Sequence, residues 1–221
     1  GEMRAIFPPD SIPSWVSIFT GIDPSEHGIL ESIDYFKRGA KQYSVDTVAF
    51  RGKTIWDKAG EAGHKVIVVN PLLAYPPWKV NGIMASGPVF VSGETAVLPP
   101  EMLSRHPAPA LGGIVDFPDK GELEVFVEKS KAETQRIVDY TVRLMEREPW
   151  DLAFVTLLTL DRVFHFLWRY SDPGDPTYPR RNKHGHRIEE FHRFLDECVG
   201  AIARAAGPDA VLLVVSDHGH G

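Results

Sequence analysis

The sequence predicts an α/β fold built on a mostly parallel sheet covered on both faces. Three short, near-continuously apolar runs carry that expectation: Lys65-Val-Ile-Val-Val-Asn70, Asp151 through Leu160, and Ala210-Val-Leu-Leu-Val-Val215. Such runs lack the in-and-out alternation of a strand with one wet face, so they suit strands buried on both sides. Between them lie helical patterns at about Thr54 to Ala62, Leu123 to Arg147 and Arg187 to Ala206, which end near Gly63, Pro149 and Gly207 as helix stops should. Strands alternating with helices define the class.

With 221 residues, 43% of them hydrophobic and 24% charged, the chain is long and apolar enough to fold as one domain over residues 1–221 without disulfides. Residues 82–121 differ, holding six Gly and six Pro and no sustained helical period. They read as an irregular insertion or lid facing a substrate. The 24 Lys and Arg against 30 Asp and Glu give a net charge of −6, which argues against a nucleic-acid partner. A single cysteine, Cys198, cannot close an internal disulfide, and a reducing, cytoplasmic setting follows as the expectation. No apolar stretch approaches the roughly 18 to 20 residues that span a bilayer, so no membrane span is expected.

Ligands of open α/β sheets bind beyond the carboxyl ends of the strands, which directs attention to the residues that follow each run. After Leu160 comes Asp161-Arg-Val-Phe-His165, whose i,i+4 spacing on a helix stacks a carboxylate and an imidazole on one face. Such a pair can share one zinc; the plainer alternative is a helix cap beside a packed histidine. After Val215 comes Ser216-Asp217-His218-Gly219-His220, either a second set of metal donors or a polar turn. The chain opens with Phe7-Pro-Pro-Asp-Ser11-Ile-Pro13, where Ser11 is placed to cap a helix running from about Pro13 to Thr20. A hydroxyl there sees the positive end of the helix dipole, which favours an alkoxide or a bound phosphate, and the same residues also fit an ordinary cap. Together these parts supply an activated oxygen and ligands for two metals.

Three further groups read more plainly. His27 looks like a turn histidine. Tyr75 and Trp78 make either a base-stacking wall or a packed loop. Arg180, Arg181 and Lys183 beside His184 and His186 make either an anion-attracting patch or a solvated loop.

The run from Pro8 to Trp15, then Thr20-Gly21 and Asp23-Pro24-Ser25-Glu26-His27-Gly28-Ile29, resembles the nucleophile region of the type I phosphodiesterase/nucleotide pyrophosphatase family of the alkaline phosphatase superfamily. Asp161-x-x-x-His165 and Ser216-Asp217-His218-Gly219 are similar to that family's metal-ligand motifs, in the same order. The resemblance implies an alkaline-phosphatase-like three-layer sandwich and a hydrolase of small-molecule phosphoesters. It also implies a site with two divalent metals, usually Zn2+ with Mn2+ as the alternative. In that reading Ser11 is the nucleophile and sits on one metal with Asp217 and His218, while Asp161 and His165 hold the other. Ser14 stands where nucleotide pyrophosphatases commonly carry Asn; as a substrate-binding donor it leaves esters other than nucleotide diesters open.

Family members also carry an Asp ligand upstream of the nucleophile and a His ligand well downstream, neither of which has a counterpart in this sequence. The expectation is therefore a fragment of a longer domain. A sulfatase, a phosphomonoesterase, a phosphoglycerate-mutase-like phosphotransferase and a metal-free binding domain are the alternatives. The sulfatase is weakened by Trp15, which occupies the Arg position of the formylglycine motif.

Overall fold

A computed structural model of the chain describes residues 5–7, 9–29, 50–89, 93–112, 118 and 121–219. They fall into two compact units: Gly1–Ile114 with Arg147–Thr156 and Leu213–Gly219, and Val115–Glu146 with Leu157–Leu212 and His220–Gly221.

The first unit holds the sheet. Its elements are α1 (Ser11–Thr20), α2 (Pro24–His27), α3 (Ile55–Glu61), β1 (Val66–Val69), β2 (Gly82–Ser86), β3 (Ala96–Leu98), α4 (Glu101–Arg105) and, after the second unit's long helix, β4 (Leu152–Val155). The strand order is β3-β2-β1-β4, with β1 parallel to both β2 and β4 and β3 antiparallel at one edge. The chain is thus α/β with a mostly parallel sheet, as its sequence predicts. All four residues of β1 are fully buried, and because successive side chains point to opposite faces, both faces of that strand are covered.

Local chemistry sets these elements. Thr54 starts α3 with a capping box, its hydroxyl accepting from the Asp57 N–H while the Asp57 carboxylate accepts from the Thr54 N–H. Gly21 ends α1 at a φ of 68°, which an L side chain rarely adopts. Asn70, at a φ of 57°, closes β1: its Nδ2 donates to the Thr156 carbonyl at 3.1 Å and its Oδ1 accepts from the Gly112 N–H at 2.7 Å.

Two sequence expectations are corrected in this unit. The 82–121 stretch is not irregular where it is described: it contributes β2, β3 and α4. Its Gly and Pro residues mark the ends of short elements, which are too brief for a periodicity to register. The run 210–215 is not a buried strand. It pairs with no strand among the described residues, and Val211 and Leu213 stand 88% and 81% exposed. Apolarity reports what a strand would like to bury; pairing needs a neighbour, and the described sheet ends at β4.

The second unit is helical: α5 (Leu123–Arg147), α6 (Thr159–Ser171) and α7 (Arg187–Ala206). Its core joins Phe126 and Val127 of α5 to Val163 and Leu167 of α6 and Ile188 and Phe191 of α7. Arg162 of α6 pairs with Glu133 of α5 at 3.0 Å, both nearly buried, and the Thr159 hydroxyl meets that of Thr134. Cys198 lies buried in α7, and burial pushes its thiol up to about 11, so it is a packing residue rather than a nucleophile.

Phe19 is the pivot of the first unit's aromatic core, in ring contact with Trp15, Phe50, Trp56 and Phe154. Phe19→Ala is expected to cost about 3–5 kcal/mol in chemical denaturation. Val125→Ala, at a half-exposed site on α5, is expected to stay within about 0.5 kcal/mol of the parent.

Candidate active site

Ser11 occupies the first turn of α1, not its cap. Asp10 is the N-cap, extended at φ −116° and ψ 143°, and its carboxylate accepts the Ile12 N–H at 3.0 Å. The sequence reading placed Ser11 at the cap; Asp10, an equally good capping residue, takes that position instead. With the cap at Asp10, Pro13 is the third helical residue and still lies in the first turn, where its missing N–H costs nothing. This cap also uses up the donors that follow Ser11: Ile12 gives its N–H to the Asp10 carboxylate, Pro13 has none, and Ser14 gives its own to the Asp10 carbonyl at 3.1 Å. The N–H groups after Ser11 are therefore already engaged within the helix start.

The structure brings Ser11 and the Asp217-His218 motif together although they lie 207 residues apart. Ser11 Oγ is 2.9 Å from His218 Nε2, and the same nitrogen is 3.4 Å from Asp217 Oδ2. His218 Nδ1 lies 2.8 Å from the Gly219 carbonyl, an oxygen that can only accept, so Nδ1 carries the proton. Nε2 is left with a lone pair facing both Ser11 and Asp217. Asp217 Oδ2 is buried and has no hydrogen-bond partner. One helical turn beyond Ser11, the Ser14 hydroxyl is likewise buried without a partner.

A second serine–histidine contact on α1 shows the opposite arrangement. Ser17 Oγ is 3.0 Å from His27 Nε2, but His27 Nδ1 accepts the Ile29 N–H at 3.1 Å, so the His27 proton sits on Nε2 and is donated to Ser17. This contact fastens α2 to α1 and cannot take a proton from the serine. His27, read from the sequence as a turn histidine, is instead the last residue of the short helix α2.

Asp161 and His165 lie in the second unit on α6, which begins at Thr159, two residues earlier than the sequence placed it. Asp161 is therefore a first-turn acid favoured by the helix dipole, not the cap. Its Oδ1 is 3.4 Å from His165 Nε2, with the side chains 40% and 60% exposed, so His165 is not a packed core histidine. No three His, Cys, Asp or Glu side chains gather into a metal-holding group among the described residues. His220 lies outside the described residues. Trp78, weighed as a stacking surface, is buried and donates its indole N–H to Asp57 at 2.8 Å. The residues that sequence reasoning missed are Asp10, which sets the helix start, and Gly219, whose carbonyl fixes the His218 tautomer.

A mostly parallel α/β sheet thus carries a helix-start serine that faces an Asp-His pair. Over residues 1–221 the chain matches the family model described as Type I phosphodiesterase / nucleotide pyrophosphatase, and it belongs to that family. No curated protein and no solved structure matches it. No helix among the described residues is long and apolar enough to cross a membrane.

Burial is the main cause that holds the His27 imidazole below its ordinary 6.5. The folded state thus prefers neutral His27, and its contribution to stability is full above pH 6.5 and is lost as pH falls below that value. His27→Gln is expected to flatten the fall in stability between about pH 7 and pH 5, read from denaturation midpoints at the two pH values.

Proposed function

We propose that this protein is a metal-dependent phosphodiesterase or nucleotide pyrophosphatase that hydrolyses small-molecule phosphoesters through Ser11. The observation that carries the reading is the convergence of Ser11 Oγ, His218 Nε2 and Asp217 Oδ2, with the carboxylate oxygen buried and unpartnered. Family membership supplies the reaction class.

The donors suit a divalent metal of the zinc type, which takes imidazole nitrogen and carboxylate oxygen. Two donors about 2.0–2.1 Å from one tetrahedral zinc lie roughly 3.4 Å apart. That spacing recurs at Asp217–His218 and at Asp161–His165, both 3.4 Å, which is long for a charge-assisted hydrogen bond of about 2.7–2.9 Å. Ser11, Asp217 and His218 would hold one ion; Asp161 and His165 would hold another. Bound metals of this kind lower the pKa of an attached hydroxyl or water and offset the charge that builds on phosphoryl oxygens.

The chain's own residues do the positioning. Asp10 fixes the start of α1 and so the position of the Ser11 hydroxyl. The Gly219 carbonyl holds the His218 proton on Nδ1 and aims the Nε2 lone pair at Ser11. Ser11 gives its hydroxyl proton to solvent and attacks phosphorus, forming the Ser–O–P bond as the ester's leaving oxygen departs and is protonated; water then attacks the same phosphorus, breaking the Ser–O–P bond and restoring the Ser11 hydroxyl. Since the N–H groups after Ser11 are engaged, the Ser14 hydroxyl becomes the nearby donor left for a phosphate oxygen.

With zinc added, the protein is expected to hydrolyse a chromogenic phosphodiester, a chelator to abolish the activity, and Ser11→Ala to lower it by more than about a thousandfold. Ser17→Ala, at the serine whose histidine holds the proton, is expected to stay within a few-fold of the parent. Absence of diester hydrolysis in the zinc-loaded parent overturns the reading.

A further inference from the structure

Helix α6 carries Asp161 and His165 but lacks the usual device for holding a helix start. Its N-cap is Leu158, which makes no side-chain bond to the free N–H groups of the first turn. On α1, α2 and α3 an Asp or Thr side chain makes that bond. Uncapped helix ends fray, and Asp161 sits in the first turn of α6, whereas His165 lies one turn further in.

Two links to the middle of α5 bracket Asp161. Before it in the chain stands Thr159, 1% exposed, whose hydroxyl meets that of the fully buried Thr134. Thr134 donates its one hydroxyl proton to the Ser130 carbonyl at 2.9 Å, so between the two threonines Thr159 donates and Thr134 accepts. After it stands Arg162, whose guanidinium donates to the Glu133 carboxylate at 3.0 Å, both side chains being nearly buried. Glu133 and Thr134 are neighbours near the centre of a 25-residue helix, far from its ends, and offer a fixed platform. Thr159, Arg162 and Val163 lie three and four residues apart, on the side of α6 that meets α5. Asp161 and His165 are left half-exposed on the other side, where a cation can reach them.

We infer that Glu133 and Thr134 are positioning residues for the metal held by Asp161 and His165. Their bonds to Arg162 and Thr159 replace the missing cap, hold the first turn of α6 closed, and keep the Asp161 carboxylate 3.4 Å from the His165 imidazole. Both act through α6 rather than on the cation. The inference rests on the proposed function for the identity of the ligand.

The test uses the full chain and two readouts. Zinc is titrated while the His165 and His218 imidazole resonances are followed, and amide hydrogen exchange is measured at residues 163–165, whose N–H groups bond to the first-turn carbonyls. Thr134→Val keeps the side-chain shape and removes the acceptor. It is expected to raise the zinc concentration that half-shifts His165 about fivefold or more, to leave the His218 response unchanged, and to speed exchange at 163–165. Thr134→Ser keeps the hydroxyl and should behave as the parent, while Glu133→Gln, which weakens the grip on Arg162, should act in the direction of Thr134→Val. Thr141→Val removes another buried hydroxyl of α5, one that donates to the Ile137 carbonyl at 2.8 Å and reaches no residue of α6 among the described residues; it should change neither readout. A zinc response at His165 that Thr134→Val leaves untouched, or that Thr141→Val weakens equally, overturns the positioning role alone. Zinc that moves neither imidazole of the parent overturns the proposed function and the positioning role with it.

Discussion

The placement of Ser11 depends on one packing arrangement, the clamp of aromatic rings around Phe19. Ser11 lies at the start of α1 and Phe19 near its end, so whatever holds Phe19 also aims the serine. Phe19 meets Phe154 on β4 at a ring separation of 5.5 Å, edge to face, and Trp56 on α3 at 5.0 Å. Trp56 in turn touches Phe154 and Trp78, closing a cluster in which helix, strand and loop share the same rings. Contacts of this geometry add about 0.5–1.5 kcal/mol each beyond the area they bury, and rings with few rotamers hold a direction well. A clamp of flexible side chains would bury similar area and orient the helix less.

On that fixed helix, hydrogen-bond accounting distinguishes two serine–histidine contacts that distance alone would equate, at 2.9 and 3.0 Å. The difference lies on the far side of each imidazole. A carbonyl opposite His218 obliges that ring to donate from Nδ1 and leaves Nε2 basic; an N–H opposite His27 obliges its ring to accept there and leaves Nε2 protonated. A residue outside the pair therefore sets the role of each serine. Neither Gly219 nor Ile29 carries side-chain chemistry that a reading of motifs would single out.

This marks where the sequence was legible and where it was not. The helices at 55–61, 123–147 and 187–206, and the strands at 66–69 and 152–155, follow from apolar period and stop signals, because those properties belong to each segment alone. Asp161 and His165 drew attention because they follow an apolar run that contains a strand, β4; Asp217 and His218 follow a run that pairs with no described strand, and Ser11 drew it as a helix-start hydroxyl. What failed were properties that need a partner. Strands β2 and β3 are only five and three residues long and gain their identity from pairing with β1 and β2. The run 210–215 has the composition of a strand without a described neighbour. The cap of α1 turned on which of two adjacent capping residues reached the Ile12 N–H, and that is decided by backbone angles at Asp10.

The treatment of buried carboxylates separates Asp217 from its peers. Glu148, at 11% side-chain exposure, is gripped by His106 at 2.7 Å and Arg105 at 2.9 Å. Glu133, at 14%, has Arg162 at 3.0 Å. In both, a charge-assisted bond offsets the cost of removing a carboxylate from water. Asp217, at 12%, has only His218 at 3.4 Å among the described residues, and that imidazole keeps its proton on the other nitrogen. Asp217 is thus an exception in lacking the charge-assisted bond that Glu148 and Glu133 each have, although Glu133 Oε2 is also buried without a partner. Exceptions of that kind gather where a site is shaped for a group that arrives from outside. A cation meeting the Asp217 oxygen and the His218 lone pair together would satisfy both, which a second carboxylate could not do.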